Sequence, residues 1–414
     1  MRRPLAPIHS QRGVAALAVT ALLLVAMLLA ALFAGRSLLT EQRGSAQQMH
    51  STQAFEAAEA GIEWALARLN TPERIGADCQ PSTNPAATSF RGRSLAIAAA
   101  TGVITPAPLQ AACVRDGSGW SCTCPSAGAA NPTAAAPGPA FTVQFLAAGK
   151  PGLVRIAATG CARFAGACVA GAPGTDNGDA TARLEVIAGL VGGLRMPPAA
   201  TVTVRGAFDA GGALLGLHNS DPATGLAVDA GGVLNAPQAR VTPPAGSPIA
   251  GALVGNDAAL AALAPERLFA TSFGVDKATW RRQGAVVRID CALDCATAVV
   301  AAVAAAPDGA LLQVDGDLAL NGPLALGTAT RPVTIVVSGS LHLDGAVALH
   351  GLLYAGSLQW TNTAGGAFVR GALVSEGGYA GNGAPELFYD AALLGRLARS
   401  SGSFARVGGS WRDF

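Results

Sequence analysis

The sequence predicts an α+β chain: a long N-terminal transmembrane helix, a small antiparallel β domain, and a glycine-punctuated, mostly β C-terminal domain built as a β-solenoid or a β-sandwich. Three observations lead to this prediction. An uncharged run fills residues 14–35, a helix-forming segment continues to Asn70, and short apolar strands followed by glycines recur beyond residue 194. The expected divisions are a leader at 1–13, the helix at 14–70, a disulfide-bearing α+β domain at 71–193 and a β-rich domain at 194–414.

The first 35 residues indicate a membrane segment. Arg2, Arg3 and Arg12 precede the apolar run, and residues 1–13 contain no acidic residue. About 20 apolar residues suffice to cross a bilayer, and flanking positive charges stay on the cytoplasmic side. We therefore expect residues 14–35 to span the membrane once and the rest of the chain to be exported. A secretory signal would have a shorter apolar core with its cleavage site after it; an uncleaved signal anchor remains open.

Residues 36–70 are expected to continue the same helix. They are rich in Ala, Glu, Gln and Leu, which favour helices. An apolar stripe recurs at three- and four-residue spacing at Phe55, Ala58, Ile62, Ala65 and Leu69. Pro72 ends the helix. One helix of roughly 85 Å is predicted at ~1.5 Å per residue, with its second half packed on a globular domain.

Two stretches of this helix carry a family resemblance. The sequence RGVAAL at 12–17, the apolar run after it, and QAFEAAEAGI at 53–62 resemble the N-terminal domain of PilX-type minor pilins, over about residues 11–70. Proteins of that family assist the assembly of type IV pili. The resemblance implies that prepilin peptidase cuts between Gly13 and Val14. It also implies an inner-membrane protein with its bulk in the periplasm, able to enter a surface filament.

The residues expected to pack against neighbouring subunits lie along the helix: Leu17, Ala18, Leu24, Leu28, Phe33, Phe55, Ile62 and Leu69. Major pilins carry a glutamate at the fifth mature position, where it is thought to pair with a neighbour's amino terminus; here that position is Ala18. The analogy therefore implies a subunit at the filament tip or in initiation. The implied partners are other pilins and minor pilins, the inner-membrane pilus assembly machinery, prepilin peptidase and the membrane.

The exported part shows two strand patterns. Residues 140–146, 153–159 and 180–187 are strand candidates, and their apolar–polar alternation favours a half-buried antiparallel sheet. Beyond residue 194, strands of three to six residues each end in a glycine, as at Gly316, Gly339 and Gly356. This pattern is typical of a solenoid or a sandwich. More helical sequence interrupts it at 258–306.

Eight cysteines follow the membrane segment: Cys79, Cys113, Cys122, Cys124, Cys161, Cys168, Cys291 and Cys295. An even count in exported sequence favours disulfides. Zinc is the alternative, but tandem C-x2-C pairs are absent and no histidine lies near these cysteines in sequence. The most local pairs are Cys161–Cys168 and Cys291–Cys295, and the other four allow three connectivities.

The sequence offers little catalytic chemistry. It contains no G-x-S-x-G, H-E-x-x-H or phosphate-loop motif. The five histidines are scattered, although His342 and His350 lie in neighbouring strand segments, and the acidic stretch Asp176–Asp179 fits an Asx-type turn better than a calcium loop. Charged residues make up only 13% with a net charge of +2, which argues against a nucleic-acid surface. We predict no enzyme, no metal site and no cofactor.

Two other functions remain open. A pseudopilin of a type II secretion system would have the same N-terminus. A membrane-anchored exported enzyme or glycan-binding protein would need a polar cleft in the C-terminal region, which the sequence does not indicate.

Overall fold

The computed structural model describes residues 12–117, 119–127, 138–163, 180–292, 294–361 and 365–414. Its helices are α1 Arg12–Asn70, α2 Phe90–Ser94, α3 Ala258–Ala262, α4 Pro265–Phe273, α5 Lys277–Arg281, α6 Ala296–Ala305 and α7 Ala391–Arg399. Its strands are β1 Leu95–Ile97, β2 Ile104–Pro106, β3 Gln110–Asp116, β4 Gly119–Cys122, β5 Ala140–Ala147, β6 Leu153–Cys161, β7 Thr181–Gly192, β8 Ala200–Val204, β9 Phe208–Asp209, β10 Gly216–His218, β11 Leu226–Ala230, β12 Leu234–Asn235, β13 Arg240–Thr242, β14 Leu253–Val254, β15 Val286–Asp290, β16 Leu311–Asp315, β17 Leu318–Asn321, β18 Leu324–Leu326, β19 Val333–Asp344, β20 Val347–Thr361, β21 Phe368–Ser375, β22 Tyr379–Gly381, β23 Glu386–Tyr389, β24 Gly402–Arg406 and β25 Arg412–Asp413.

The helix predicted to precede Pro72 is one uninterrupted element. Helix α1 runs from Arg12 to Asn70 and passes through Gly44 without a break. The predicted α+β class, with a long N-terminal helix followed by mostly β structure, is confirmed.

An antiparallel sheet follows α1, in the order β24-β7-β6-β5-β3-β4, with β25 also paired to β7. The three strand candidates of the sequence correspond to β5, β6 and β7. Alternate residues of these strands face α1, because Phe141, Val143, Ile156 and Val186 are buried against its apolar side. The last two strands come from the C-terminus of the chain, so residues 402–413 return to the sheet that residues 110–192 begin.

The other large sheet has 16 strands, and its pairings among the described residues are parallel. A β-sandwich pairs its strands antiparallel, whereas stacked coils pair them in parallel. The structure therefore selects the solenoid of the two predicted alternatives. Its interior is a continuous apolar core that includes Val202, Leu312, Ile335, Leu353 and Leu373.

The coils stack in an order that differs from their order in the chain. Along one side of the solenoid the order is β15-β16-β19-β20-β21-β8-β11-β14. The first coils in the chain, at 200–254, thus rest on the last coil, at 368–389. Helices α3 to α5 connect β14 to β15, at opposite ends of this order. Phe269 and Phe273 of α4 cover the outside of the sheet, with ring centroids 5.1 and 5.5 Å from that of Tyr354.

The glycines that end the strands stack along one corner of the solenoid. The amide of Gly377 donates to the carbonyl of Gly356 at 2.7 Å, Gly206 donates to Gly377 at 2.6 Å, and Gly232 donates to Gly206 at 2.8 Å. A Cβ on Gly206, Gly232 or Gly377 would lie about 3 Å or less from backbone atoms of the adjacent coil. Glycine recurs at these positions because neighbouring coils meet there backbone to backbone.

Three disulfides lie in the described part of the chain. Cys79 pairs with Cys124, Cys113 with Cys122, and Cys291 with Cys295, with Cα–Cα distances of 5.1, 4.0 and 5.5 Å. Cys113 and Cys122 face each other in the register of β3 and β4. The predicted Cys291–Cys295 pair is confirmed, and the structure selects one of the three connectivities for the other four. The predicted Cys161–Cys168 pair, the Asp176–Asp179 turn and leader residues 1–11 involve positions outside the described residues.

Candidate functional site: an apolar helix anchored on the antiparallel sheet

The N-terminal part of α1 projects away from the rest of the protein. Every residue from 15 to 49 is exposed. The uncovered side chains include Leu17, Leu24, Leu28 and Phe33, the last 79% exposed. By length and composition this helix could cross a membrane. Five of the predicted packing residues therefore lie on a surface that the protein itself leaves uncovered: Leu17, Ala18, Leu24, Leu28 and Phe33.

The C-terminal part of α1 is anchored on the antiparallel sheet. Ala58, Ile62, Ala65 and Leu69 are fully buried, as the predicted stripe requires. Phe55 differs, because it lies at the edge of the interface with 38% exposed, and its ring is 6.2 Å from that of Trp411. Ala54 is buried in its place. The small side chain lets the helix approach the sheet at this end.

Strand β6 and α1 meet almost backbone to backbone at Gly160. A Cβ on Gly160 would lie 2.0 Å from the carbonyl oxygen of Ala54 and 2.3 Å from the amide nitrogen of Ala58. One turn further along the helix, a Cβ on Gly61 would lie 3.0 Å from the Phe141 ring. These glycines set the distance between helix and sheet.

Polar contacts tie the end of α1 to the C-terminal strand. The Asn70 side-chain amide donates to the Phe404 carbonyl at 2.8 Å, and its oxygen accepts from the Phe404 amide at 2.7 Å. Arg91 donates from Nε to the Leu69 carbonyl and from a terminal nitrogen to the Gly402 carbonyl, both at 2.8 Å. Arg91 thus satisfies a helix C-terminal carbonyl, a group with no partner inside the helix.

Charge and aromatic contacts complete this joint. Glu63 on α1 pairs with Arg406 on β24, and the Arg406 guanidinium lies 5.3 Å from the Trp411 ring centroid. Burial lowers the pKa of Arg91, while the Asp308 carboxylate raises it. The helix is therefore held by the first sheet and by residues from the end of the chain.

The predicted cleavage residues, Gly13 and Val14, lie in the first turn of α1. Cleavage at this bond remains a prediction.

The histidines of the described residues are not grouped into a metal site. His218 contacts Glu386 at 2.6 Å and Thr242 at 3.0 Å. His342 bonds Thr361 at 2.9 Å, and the ring of His350 packs edge-on against Phe368. Among these residues no group of three or more His, Cys, Asp or Glu side chains is placed to hold a metal ion.

A polar cleft of about 350 Å³ lies over β15, β16 and β19. Most of its charges are paired with one another. Lys277 contacts Glu376 at 2.5 Å, and Arg281 contacts Asp315 at 2.5 Å. The Tyr354 hydroxyl donates to Glu376 at 2.7 Å, and burial followed by this contact raises the pKa of Tyr354. These pairs cross-link α5 to the solenoid wall.

Sequence reasoning missed Gly160, Asn70 and Arg91. Gly160 had a detectable signal, because an isolated glycine within a strand indicates a bulge or a close backbone approach. Asn70 and Arg91 had none, since Phe404 and Gly402, the residues that they bond on β24, lie more than 300 residues away in the chain.

Comparisons with known proteins bear on the same helix. Residues 12–63 match the family model of the PilX N-terminal domain. A comparison with curated proteins finds no significant match. Among solved structures, the competence-associated pilin ComZ from Thermus thermophilus aligns over 88% of this chain and 98% of its own, with 12% identity and a TM-score of 0.21; at that score the alignment carries no argument about the fold. The chain thus carries a PilX-type N-terminal segment, and its resemblance to PilX-type minor pilins is confirmed over that segment.

Proposed function

We propose that the protein is a minor pilin-like subunit that promotes assembly of type IV pili, at the tip or in initiation, and displays an exported β-rich region. The observation that carries the proposal is the exposed apolar half of α1, within the residues that match the PilX N-terminal domain. In this proposal the protein is not an enzyme. Its partners are other pilins and minor pilins, the inner-membrane assembly machinery and prepilin peptidase.

The energetics of α1 support a packing role. Covering one Leu or Phe side chain stabilises a structure by roughly 1.5–3 kcal/mol. Leu24, Leu28 and Phe33 are all exposed, so this surface favours lipid before assembly and the helices of other subunits afterwards. The proposed topology is a cytoplasmic N-terminus, a single span and a periplasmic bulk.

The anchoring of α1 supports a role in which the helix holds the exported region in the filament. Contacts of Gly160, Asn70 and Arg91 fix the C-terminal part of α1 to the antiparallel sheet, which includes β24 from the end of the chain. The exported region therefore follows α1 wherever the helix is placed. The proposal keeps the domain boundary between residues 193 and 194. Strands β24 and β25 lie beyond this boundary in the chain but pair within the antiparallel sheet.

Leu24→Asp tests the packing role. An aspartate at the centre of a membrane helix costs about 2.5–3.5 kcal/mol, and it would face neighbouring subunits after assembly. We expect fewer surface pili with Leu24→Asp, as with a gene deletion. Gln47→Asp is the matched control, because it adds the same charge at an exposed, polar position of the same helix. Membrane fractionation and immunoblotting check that both variants are inserted and present at wild-type levels.

The outcome separates the alternatives. Normal pili in number and function in the deletion strain would refute the proposal, and so would finding the protein as the most abundant filament subunit. Loss of protein secretion with pili intact would instead assign it to a type II secretion system as a pseudopilin. If the protein were instead a membrane-anchored exported binding protein, Leu24→Asp would leave the number of pili unchanged as long as the variant is inserted in the membrane.

A further inference from the structure

A second cleft, of about 190 Å³, lies where the α2–β1 segment, two solenoid turns and the end of α7 meet. Three arginines line it, Arg91, Arg331 and Arg396, and they face one carboxylate, Asp308. The hydroxyls of Thr330, Ser400 and Ser401 complete the wall. The lining is therefore strongly basic, in contrast to the self-paired cleft over β15.

The single carboxylate does not neutralise the three cations. Ser89 bonds Asp308. Arg91 donates two of its hydrogen bonds to the Leu69 and Gly402 carbonyls. Within the described part of the chain, the side chains of Arg331 and Arg396 make no hydrogen bond or ion pair, and Nε of Arg396 is buried without an acceptor. The two guanidinium groups therefore leave the cleft with positive charge that no side chain of the described residues compensates.

We propose that this cleft binds a compact oxyanion, with phosphate as its chemical type. Guanidinium groups present paired N–H donors that match the oxygens of phosphate and carboxylate. A cleft of 190 Å³ is smaller than the roughly 300–1,000 Å³ typical of drug-sized ligands, which favours a small anion. Burial disfavours the charged form of Arg91, and a bound anion would favour that form.

The position of the cleft favours a soluble anion over a lipid headgroup. Arg91 contacts Leu69, at the C-terminal end of α1. At ~1.5 Å per residue, Leu69 is about 50 Å along the helix from Gly35, where the proposed membrane span ends. A phospholipid headgroup does not reach that far. Bound there, the anion would link α2 to the solenoid, because Arg91 lies on α2 and Arg331 lies in a solenoid turn.

The test uses the full chain in detergent, titrated with inorganic phosphate against sodium chloride of equal ionic strength. Isothermal titration calorimetry and the thermal unfolding midpoint report binding, since a ligand of the folded state raises that midpoint. We expect Arg396→Gln and Arg331→Gln each to weaken phosphate binding about tenfold, which corresponds to about 1.4 kcal/mol. Arg282→Gln is the control, because Arg282 is an exposed arginine outside this cleft. Arg331 is exposed in a turn, so Arg331→Gln should leave the fold intact. It therefore still tests the cleft if Arg396→Gln prevents folding.

Three outcomes would overturn the proposal. The first is a phosphate response no larger than that of chloride. The second is equal weakening by Arg282→Gln and Arg331→Gln. The third is a loss of phosphate affinity when nanodiscs of neutral lipid are replaced by nanodiscs of anionic phospholipid, which would assign the cleft to a headgroup. Unchanged affinity in both nanodiscs supports the soluble anion. None of these readouts depends on pilus assembly, so they are independent of the proposed function.

Discussion

Gly160→Ala should separate α1 from the antiparallel sheet. The added Cβ would lie 2.0 Å from the Ala54 carbonyl oxygen, whereas ordinary contacts begin near 3.4 Å. Strand and helix would therefore have to move apart by about 1.4 Å. Overpacking costs typically 1–3 kcal/mol. The obstructing atoms are backbone atoms that cannot rotate away, so we expect the upper end, about 3 kcal/mol.

Urea unfolding of the full chain in detergent measures this loss. Trp64 on α1 is the reporter, with its ring 5.3 Å from Phe90 and 6.0 Å from Phe141. Gly119→Ala is the matched control in the same sheet, because a Cβ there meets no atom within 4 Å. The control should be neutral or slightly stabilising, since alanine reduces the freedom of the unfolded chain. Equal stabilities of Gly160→Ala and Gly119→Ala would refute the close approach.

Four further predictions concern other parts of the chain. Asn70→Ala should cost about 1–3 kcal/mol, because it leaves the Phe404 amide and carbonyl without partners; urea unfolding of the variant beside Thr52→Ala, an exposed position on the same helix, checks it. Free-thiol counting on the denatured, unreduced protein should find close to none. Replacing both members of the Cys79–Cys124 pair by Ala should then cost about 4 kcal/mol, against about 2 kcal/mol for Cys291–Cys295, because the separations are 45 and 4 residues; equal costs would contradict the loop-entropy reasoning. N-terminal mass spectrometry of membrane-extracted protein should find a chain starting at Val14, and Gly13→Leu should block that processing; a start at Met1 or after Ala34 in the wild type would disprove cleavage at Gly13. Burial raises the pKa of Glu386. Hydrogen bonds from His218 and Arg240, and the electrostatic attraction of these two side chains, have the larger combined effect and lower the pKa from 4.5. This stabilisation is present above 4.5 and is lost as the pH falls through the lower folded-state value, so the urea midpoints of the wild type and Glu386→Gln should differ at neutral pH and converge in acid; a constant difference would contradict it.

Local signals in the sequence were enough for several elements. The uncharged run and the helix formers before Pro72 predict α1, and the apolar–polar alternation predicts β5, β6 and β7. Glycine at each strand end predicts short coils, because glycine tolerates a backbone approach that other residues do not. The close cysteine pair Cys291–Cys295 is joined as predicted. In each case the deciding interaction lies within a few residues of chain, so the pattern contains the information.

Other features depended on which distant segments meet. Many of the solenoid strands are short, apolar and similar in length, so the sequence does not reveal that β8 stacks on β21 rather than on a chain neighbour. The same holds for β24, which pairs with β7 from across the chain. The burial of Ala54 in place of Phe55 depends on Gly160, since the sheet approaches most closely there. The sequence by itself determined the elements and their apolar faces. Only the tertiary structure decided their partners, because parallel pairing and burial favour any complementary apolar strand, and the choice among such strands is made by the packing of the whole chain.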